Sequence, residues 1–164
     1  MAADYYLQIE GIKGESTDSA HAGWLECLSV TWSITQPKSA TTSTAGGHTA
    51  ERAELTEISI TKLVDLSSPI LMQTCAAGRT IPKAKVEFFR ADGGGERVKY
   101  FELELANVLI GHITPSFAGG GLPIENLGLK FSKSIWRYTQ QKVSGGTAGS
   151  TVGGWDLATN RITI

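Results

Sequence analysis

Eight consecutive residues, 28 to 35, alternate between apolar side chains and small hydroxylated ones. Successive side chains of a β-strand point to opposite faces, whereas an α-helix returns to one face only about every 3.6 residues. The alternation therefore predicts a strand with one buried face and one face in water. The apolar set is Leu28, Val30, Trp32 and Ile34, and the hydroxylated set is Ser29, Thr31, Ser33 and Thr35.

Other segments alternate in the same way, and the phase of the alternation changes once, after Phe131. The large residues that follow Phe131 are Trp136 and Tyr138, which a strict period of two cannot place on its face. We therefore expect either a bulge near residues 132–134 or a strand end covered on both faces. Many strands separated by glycine turns predict an all-β barrel or sandwich. The other predicted strands are Tyr6–Glu10, Ile58–Thr61, Val86–Arg90, Tyr100–Ile110 and Leu127–Phe131.

One segment interrupts the β pattern. A serine cap and Pro69 in the first turn, followed by Gly78 at the end, predict a short helix from about Ser68 to Ala77. Ile70, Leu71, Thr74 and Cys75 would form its apolar stripe.

The 19 glycines cluster in loops rather than repeat. Residues 92–95 have the composition of a hairpin turn. Long glycine-rich loops are predicted for residues 37–50, 118–121 and 144–154, with a last short strand within residues 155–164.

Charge and composition exclude several classes of function. Fifteen basic and sixteen acidic residues give a net charge of -1, which argues against a nucleic-acid binder with a global basic field. No apolar run approaches the roughly 20 residues of a membrane span, so we expect no membrane insertion. The first ten residues lack the features of a signal peptide, so we expect a protein made in the cytoplasm that does not use the general secretory route. Cys27 and Cys75 are then expected to be buried, reduced thiols.

Catalytic motifs are nearly absent, and the chain is predicted not to be an enzyme. His21, His48 and His112 have no metal-ligand spacing, and no nucleophile elbow or phosphate-binding loop is present, so we expect no catalytic residues, metal or cofactor. A Ser/His/Asp triad assembled from distant segments stays open as a weaker alternative. The acidic residues Asp4, Glu10, Glu15 and Asp18 are interpreted as a solvated loop.

The four tryptophans divide into two pairs. Trp32 and Trp136 lie in predicted strands and are expected in the core. Trp24 and Trp155 lie beside strands and could be either lids on the core or interface anchors.

Several short motifs in a fixed order carry a resemblance that runs nearly end to end. The chain resembles the haemolysin co-regulated protein (Hcp) family of type VI secretion in bacteria. The motifs are Gly14–Asp18 with His21, Ser67–Gly78, Ala84, Arg90–Ala91, Leu122–Asn126, Phe131, Tyr138–Gln140, and Gly154–Leu157 with Asn160.

The resemblance implies a fold and a function. It implies a tight β-barrel of antiparallel strands with one short flanking helix, as a single domain over residues 1–164. Six copies would form a ring, and rings would stack into a tube inside a contractile sheath, tipped by a VgrG-type spike protein. Contraction would expel the tube into a neighbouring cell or the medium, with small effector proteins carried and chaperoned in its channel. The alternative is a stand-alone ring or barrel that acts as a carrier or adaptor outside a secretion tube.

Candidate site residues follow from this expectation. Ser29, Thr31 and Ser33 would line the channel, where small hydroxyls leave room for a guest; otherwise their face meets only solvent or another strand. Gly46, Gly47 and His48 would contact the next ring. Trp24 and Trp155 are the candidate interface tryptophans.

Overall fold

The computed structural model describes residues 4–37 and 52–164. These residues form twelve strands and one helix. The elements are β1 (Asp4–Ile9), β2 (Leu25–Cys27), β3 (Ser29–Thr31), β4 (Ile34–Thr35), β5 (Glu54–Leu55), β6 (Ile58–Leu63), α1 (Ser68–Ala77), β7 (Ile81–Ala91), β8 (Arg97–Ser116), β9 (Ile124–Lys130), β10 (Lys133–Gln141), β11 (Thr147–Asp156) and β12 (Arg161–Ile162).

The strands form two main antiparallel sheets that share one long strand. The larger sheet has the order β12–β11–β10–β8–β7–β1–β2, and the smaller has the order β3–β6–β9–β8. Strands β4 and β5 form a separate pair. The predicted strands at residues 6–10, 58–61, 86–90, 100–110 and 127–131 are confirmed, most of them longer than expected.

Two corners join the sheets into a barrel-like body. Strand β8 pairs with β7 as far as Val108 and with β9 from Leu109 onward, and Asn107 between its two halves has a left-handed φ of 52°. At the other corner, Leu28 lies between β2 and β3 and donates its backbone N–H to Thr61 of the smaller sheet. The predicted mainly antiparallel β-fold is therefore confirmed, although its described strands do not form one closed ring of pairs.

The core lies between the two sheets. Leu7, Val86 and Leu103 from the larger sheet are fully buried, and so are Ile60 and Leu127 from the smaller. Burying a side chain of this size stabilises the fold by roughly 1.5–3 kcal/mol. The apolar period that predicted the strands is thus the inward face of both sheets.

The prediction of one continuous strand over residues 28–35 is wrong. This segment is broken into β3 and β4, with Trp32 and Ser33 between them. Only Val30 and Trp32 pack against the core, whereas Leu28 is 55% exposed and Ile34 is 51% exposed. The reason is that Leu28 occupies a corner, and the chain leaves the smaller sheet after Thr31 to pair with β5.

The change of phase after Phe131 has a different cause from both alternatives expected there, a bulge near residues 132–134 or a strand end covered on both faces. Strand β9 ends at Lys130 in the smaller sheet, and β10 begins at Lys133 in the larger one. Trp136 packs against the core after the crossing, while Tyr138 is 42% exposed. The two alternating runs therefore belong to two strands, each with its own inward face.

The helix spans the predicted residues, and Gly78 ends it in the left-handed conformation at φ 63°. The predicted serine cap is wrong, because Ser67 makes no side-chain capping bond and its hydroxyl donates to Asp65. The predicted stripe is also shifted. Ser68, Leu71 and Thr74 are buried, Cys75 is partly buried against the core, and Ile70 is exposed.

The glycine-rich segments have different structures. Asp92–Gly95 forms the predicted hairpin turn, with Gly95 donating its N–H to Asp92. The predicted loop at 144–154 is wrong beyond residue 146, because most of it is β11. This strand needs a glycine at residue 154, because a Cβ there would lie 2.6 Å from Thr163 Cγ2. The last strand, expected within residues 155–164, is reduced to Arg161–Ile162.

Candidate functional site

The outward face of the smaller sheet is covered by small polar side chains, which we call the polar face. Its residues come from four strands that are distant in sequence. Strand register arranges them in two rows: Ser29, Thr61, Asn126 and Thr114 in one, and Thr31, Ser59, Gly128 and His112 in the other. The row between them, Val30, Ile60, Leu127 and Ile113, points to the core. The polar face is thus the wet side of the same alternation that builds the core.

Asn126 organises the middle of the polar face. Its Nδ2 donates to Ser59 Oγ at 3.1 Å and to Thr61 Oγ1 at 3.2 Å. Its Oδ1 lies 2.9 Å from His112 Nε2, and this nitrogen is the donor because the amide nitrogen faces the hydroxyls. The amide therefore holds three neighbouring strands in one hydrogen-bonded group.

An ionisable pair stands at one edge of this group. His112 Nδ1 lies 3.0 Å from Glu57 Oε1, and both side chains are about one-third exposed. Gly128 makes room for the pair, since a Cβ at that position would lie 2.5 Å from both Glu57 Oε2 and His112 Cε1. The absence of a side chain at residue 128 is therefore required by the geometry of the face.

The imidazole of the polar face has a carboxylate and an amide as its partners. Among the described residues, neither His21 nor His112 has a serine hydroxyl within hydrogen-bond distance. Over the same ranges, no three side chains of the metal-ligand types come together. Hydroxyls, an amide and one imidazole make up the polar face.

The predicted channel residues fall in two different places. Ser29 and Thr31 lie exposed on the polar face, on β3. Ser33 lies beyond it, where its N–H donates to Thr56 Oγ1 at 2.8 Å. Ser59, Thr61 and Asn126 were not predicted as site residues from the sequence, although each occupies an outward position in an alternating run.

The predicted contact residues are only partly described. Gly46, Gly47 and His48 lie outside the described residues. Trp24 is half-buried and stands edge-on to His21 at 4.7 Å between ring centroids. Trp155 is half-buried on β11, and its indole N–H is buried without a hydrogen-bond partner among the described residues. Trp32 and Trp136 pack against the core as predicted.

The acidic N-terminal residues are not simply a solvated loop. Arg97 donates to Asp4 Oδ2 at 3.2 Å and to Asp18 Oδ1 at 2.6 Å. Asp18 Oδ2 also lies 2.6 Å from His21 Nδ1. The hydrogen bonds from His21 and Arg97 lower the pKa of Asp18 to about 2. His21 itself is buried and stacked on Tyr6 at 4.3 Å, so this cluster fastens the loop of residues 10–24 to the larger sheet.

A fully buried lysine lies beneath the N-terminus of the helix. Lys62 Nζ donates to Leu63 O at 2.8 Å, to Asp65 Oδ1 at 2.9 Å and to Glu125 Oε1 at 2.5 Å. Glu125 Oε1 also accepts the Ser68 hydroxyl at 2.7 Å, whereas Oε2 is buried without a partner. The network connects β6, β9 and α1, and no local pattern in the sequence indicates it.

Both cysteines are free thiols, as predicted. Cys27 is buried, and its burial raises the pKa of the thiol to about 12. Cys75 is half-buried on the helix.

Known proteins share this fold along most of the chain. A family model described as "Type VI secretion system effector, Hcp" matches residues 6–138. Protein hcp1 of Pseudomonas aeruginosa is 33% identical over 162 residues, which are 98% of this chain and 98% of that protein. A solved structure titled "Structure of a type six secretion system protein" has a TM-score of 0.91 at 25% identity, covering 99% of this chain and 100% of its own. Hcp1 from Salmonella typhimurium has a TM-score of 0.79 at 30% identity, covering 99% of each chain.

An antiparallel β-fold with one short helix that superposes on these proteins is the fold of a structural component of type VI secretion systems. The matched family model and the P. aeruginosa relative then define the family: the chain belongs to the Hcp family. The resemblance predicted from the motifs is confirmed. No helix within residues 4–37 and 52–164 is long and apolar enough to cross a membrane.

Proposed function

We propose that this protein is the subunit of a type VI secretion inner tube, in which six copies form a ring and rings stack. Membership of the Hcp family supports the assignment of this protein to a type VI secretion system. The single observation that carries the ring is that, among the exposed apolar side chains of the described residues, two groups lie far apart on the subunit.

The first apolar surface lies at the end of the smaller sheet. Leu63 pairs across the strands with Ile124, and Ile124 also pairs with Ser116 at the last residue of β8. Large apolar side chains that are more than one-third exposed surround this point. The first apolar surface consists of Leu63, Leu66, Phe117, Leu122 and Ile124.

The second apolar surface lies on the hairpin between β10 and β11 and consists of Tyr138 and Val143. Val143 is fully exposed, and Tyr138 is 42% exposed. Tyr138 pairs with Phe101, near the start of β8, whereas the first apolar surface adjoins the end of that strand. At about 3.3 Å per residue, up to about 50 Å of β8 separates the two points.

Two different apolar surfaces on one subunit suit a head-to-tail contact, in which one surface of each copy meets the other surface of the next. Such contacts close into rings when the rotation between copies permits. Exposed apolar patches on a soluble protein commonly mark contacts with other proteins. This geometry therefore favours a cyclic assembly over a two-fold dimer.

The polar face supplies the wall of the channel in this proposal. Its hydroxyls and amide are short, so they leave space for a guest and bind it through hydrogen bonds. Small effector proteins are the guests, a VgrG-type spike caps the tube, and contraction of the sheath expels it from the cell. Gly46, Gly47 and His48 stay predicted contacts between rings.

Negative-stain electron microscopy and mass photometry test the ring. Six subunits of 17.5 kDa give about 105 kDa and six-fold particles with an open centre. Leu63→Asp/Ile124→Asp should shift the mass to that of the monomer, because the charges would be desolvated in the contact. Thr17→Asp, which adds a charge at an exposed loop position, should leave the ring intact. Monomers of the unaltered protein at micromolar concentration would favour a stand-alone binding module.

A further inference from the structure

A groove of about 510 Å³ crosses the outward face of the larger sheet, on a different sheet from the polar face. Strands β1, β7, β8 and β10 all contribute to it. Its central residues are Lys83 and Lys85 of β7, Glu104 and Ala106 of β8, and Lys133 and Ile135 of β10. The volume falls within the range of about 300–1,000 Å³ that is typical of binding sites.

Strand register places two lysines symmetrically about a small residue. Ala106 pairs with Lys83 on one side and with Lys133 on the other. Adjacent strands are about 4.8 Å apart, so the two lysines begin about 10 Å from each other. The methyl group of Ala106 keeps the floor between them low, and half-buried Ile135 provides an apolar wall in the next row.

The lysines of the groove differ from the other cations of the same face. Lys99 lies 3.2 Å from Glu87, and Arg137 lies 3.0 Å from Glu102, so those charges are paired. Lys83 and Lys133, by contrast, form no ion pair or side-chain hydrogen bond with any residue in the described ranges.

The acidic groups of the groove neutralise it only in part. Lys85 Nζ lies 4.0 Å from Glu104 Oε1, the limit for an ion pair, and both side chains are exposed by more than a third. A hydrogen bond with Glu102 raises the pKa of Glu104. Glu10 is the other carboxylate at the rim. Asp156, opposite Lys133, accepts the N–H groups of Ala158 and Thr159.

We propose that this groove is a docking site for an acidic segment of a partner protein. Two carboxylates about 10 Å apart would bind Lys83 and Lys133, and a small apolar side chain between them would rest on Ala106 and Ile135. Exposed charge pairs are individually weak, so each lysine should contribute about two- to fivefold to affinity, with a strong dependence on salt. The site uses neither of the two apolar surfaces proposed to form the ring.

Fluorescence anisotropy with a defined probe tests the proposal on the full protein. The probe is a fluorescein-labelled octapeptide that alternates Glu with Ala or Leu, and its matched control has Gln in place of every Glu. We expect the Glu peptide alone to bind at 25 mM NaCl, with at least a tenfold loss of affinity at 300 mM. Lys83→Ala/Lys133→Ala should reduce affinity about 4- to 25-fold, whereas Lys13→Ala/Lys142→Ala, at exposed positions outside the groove, should change it less than twofold.

Three results would overturn the proposal: no binding of the Glu peptide at millimolar protein, equal losses in both double variants, or undiminished binding by Lys83→Ala/Lys133→Ala. Circular dichroism and particle mass, measured on each variant, separate loss of folding or of the ring from loss of the groove. A ring that forms normally but does not bind the peptide contradicts only the groove. A monomer that binds the peptide contradicts only the ring.

Discussion

The buried Lys62–Glu125 pair gives the sharpest prediction about stability. Within residues 4–37 and 52–164, Lys62 is the only cation that contacts Glu125, whose side chain is fully buried and whose Oε2 has no partner there, and Lys62→Met removes that cation. Removing one member of a buried ion pair typically costs about 3–5 kcal/mol, because the other charge is left without compensation. We expect Lys62→Met to lower the free energy of unfolding by that amount.

Replacing both partners should restore most of the loss. Lys62→Met/Glu125→Met fills the same space with apolar groups and removes both charges of the fully buried pair, although Asp65, which is 11% exposed, loses its ion pair with Lys62. In the double variant, Asp65 still accepts hydrogen bonds from the hydroxyl and the N–H of Ser67. The Ser68 hydroxyl still accepts the N–H of Asp65. The double variant should therefore lie within about 1–2 kcal/mol of the unaltered protein, and the two single changes should be far from additive.

Urea unfolding, followed by tryptophan fluorescence at several protein concentrations, measures these differences and separates folding from assembly. The matched control is Lys85→Met, which breaks an exposed pair and should cost less than about 1 kcal/mol. A cost below about 1 kcal/mol for Lys62→Met, or a double variant as unstable as the sum of the singles, would refute the reasoning.

Two further predictions concern the loop cluster and the polar face. The pKa of Asp18 is lowered to about 2 when folded, so its stabilising contribution is present above its ordinary value of 3.8 and is lost as the pH falls from there toward 2. Asp18→Asn should flatten this part of the stability profile, measured as the urea midpoint from pH 2 to 6, and an unchanged acid slope would contradict the role given to Asp18. Gly128→Ala should displace Glu57 from His112 and destabilise the fold by about 1 kcal/mol, because the new Cβ would overlap both side chains. Gly149→Ala, where a Cβ has open space, is the control, and imidazole NMR signals of His112 that stay unchanged in Gly128→Ala would show that the pair is not displaced.

The elements of the fold were predictable because their signals are local. Alternation over a few residues indicates which side chains share a strand face. Pro69 and Gly78 indicate the start and the end of a helix, and the structure has the same bounds. The errors occur where tertiary structure overrides the local pattern. Leu28 fits a buried face but forms a corner, and residues 147–154 have the composition of a loop but pair along β10.

The site was predictable only in part for the same reason. Ser29 and Thr31 could be recognised as wet residues of one strand. Their neighbours Ser59, Asn126 and His112 come from three other strands, and only the register between those strands brings them together. The lysines of the groove likewise meet across Ala106 through pairing that no local pattern records.

The sequence by itself determined most of the strands, where the helix lies and, through its ordered motifs, the family. Each of these depends on side chains that are near one another along the chain or on their order. Only the tertiary structure decided that Lys62 is buried, which hydroxyls share a face and where unpaired lysines face one groove. The physical reason is that burial and charge pairing are set by contacts between strands far apart in sequence, and a shift of one residue in their register would reverse every face.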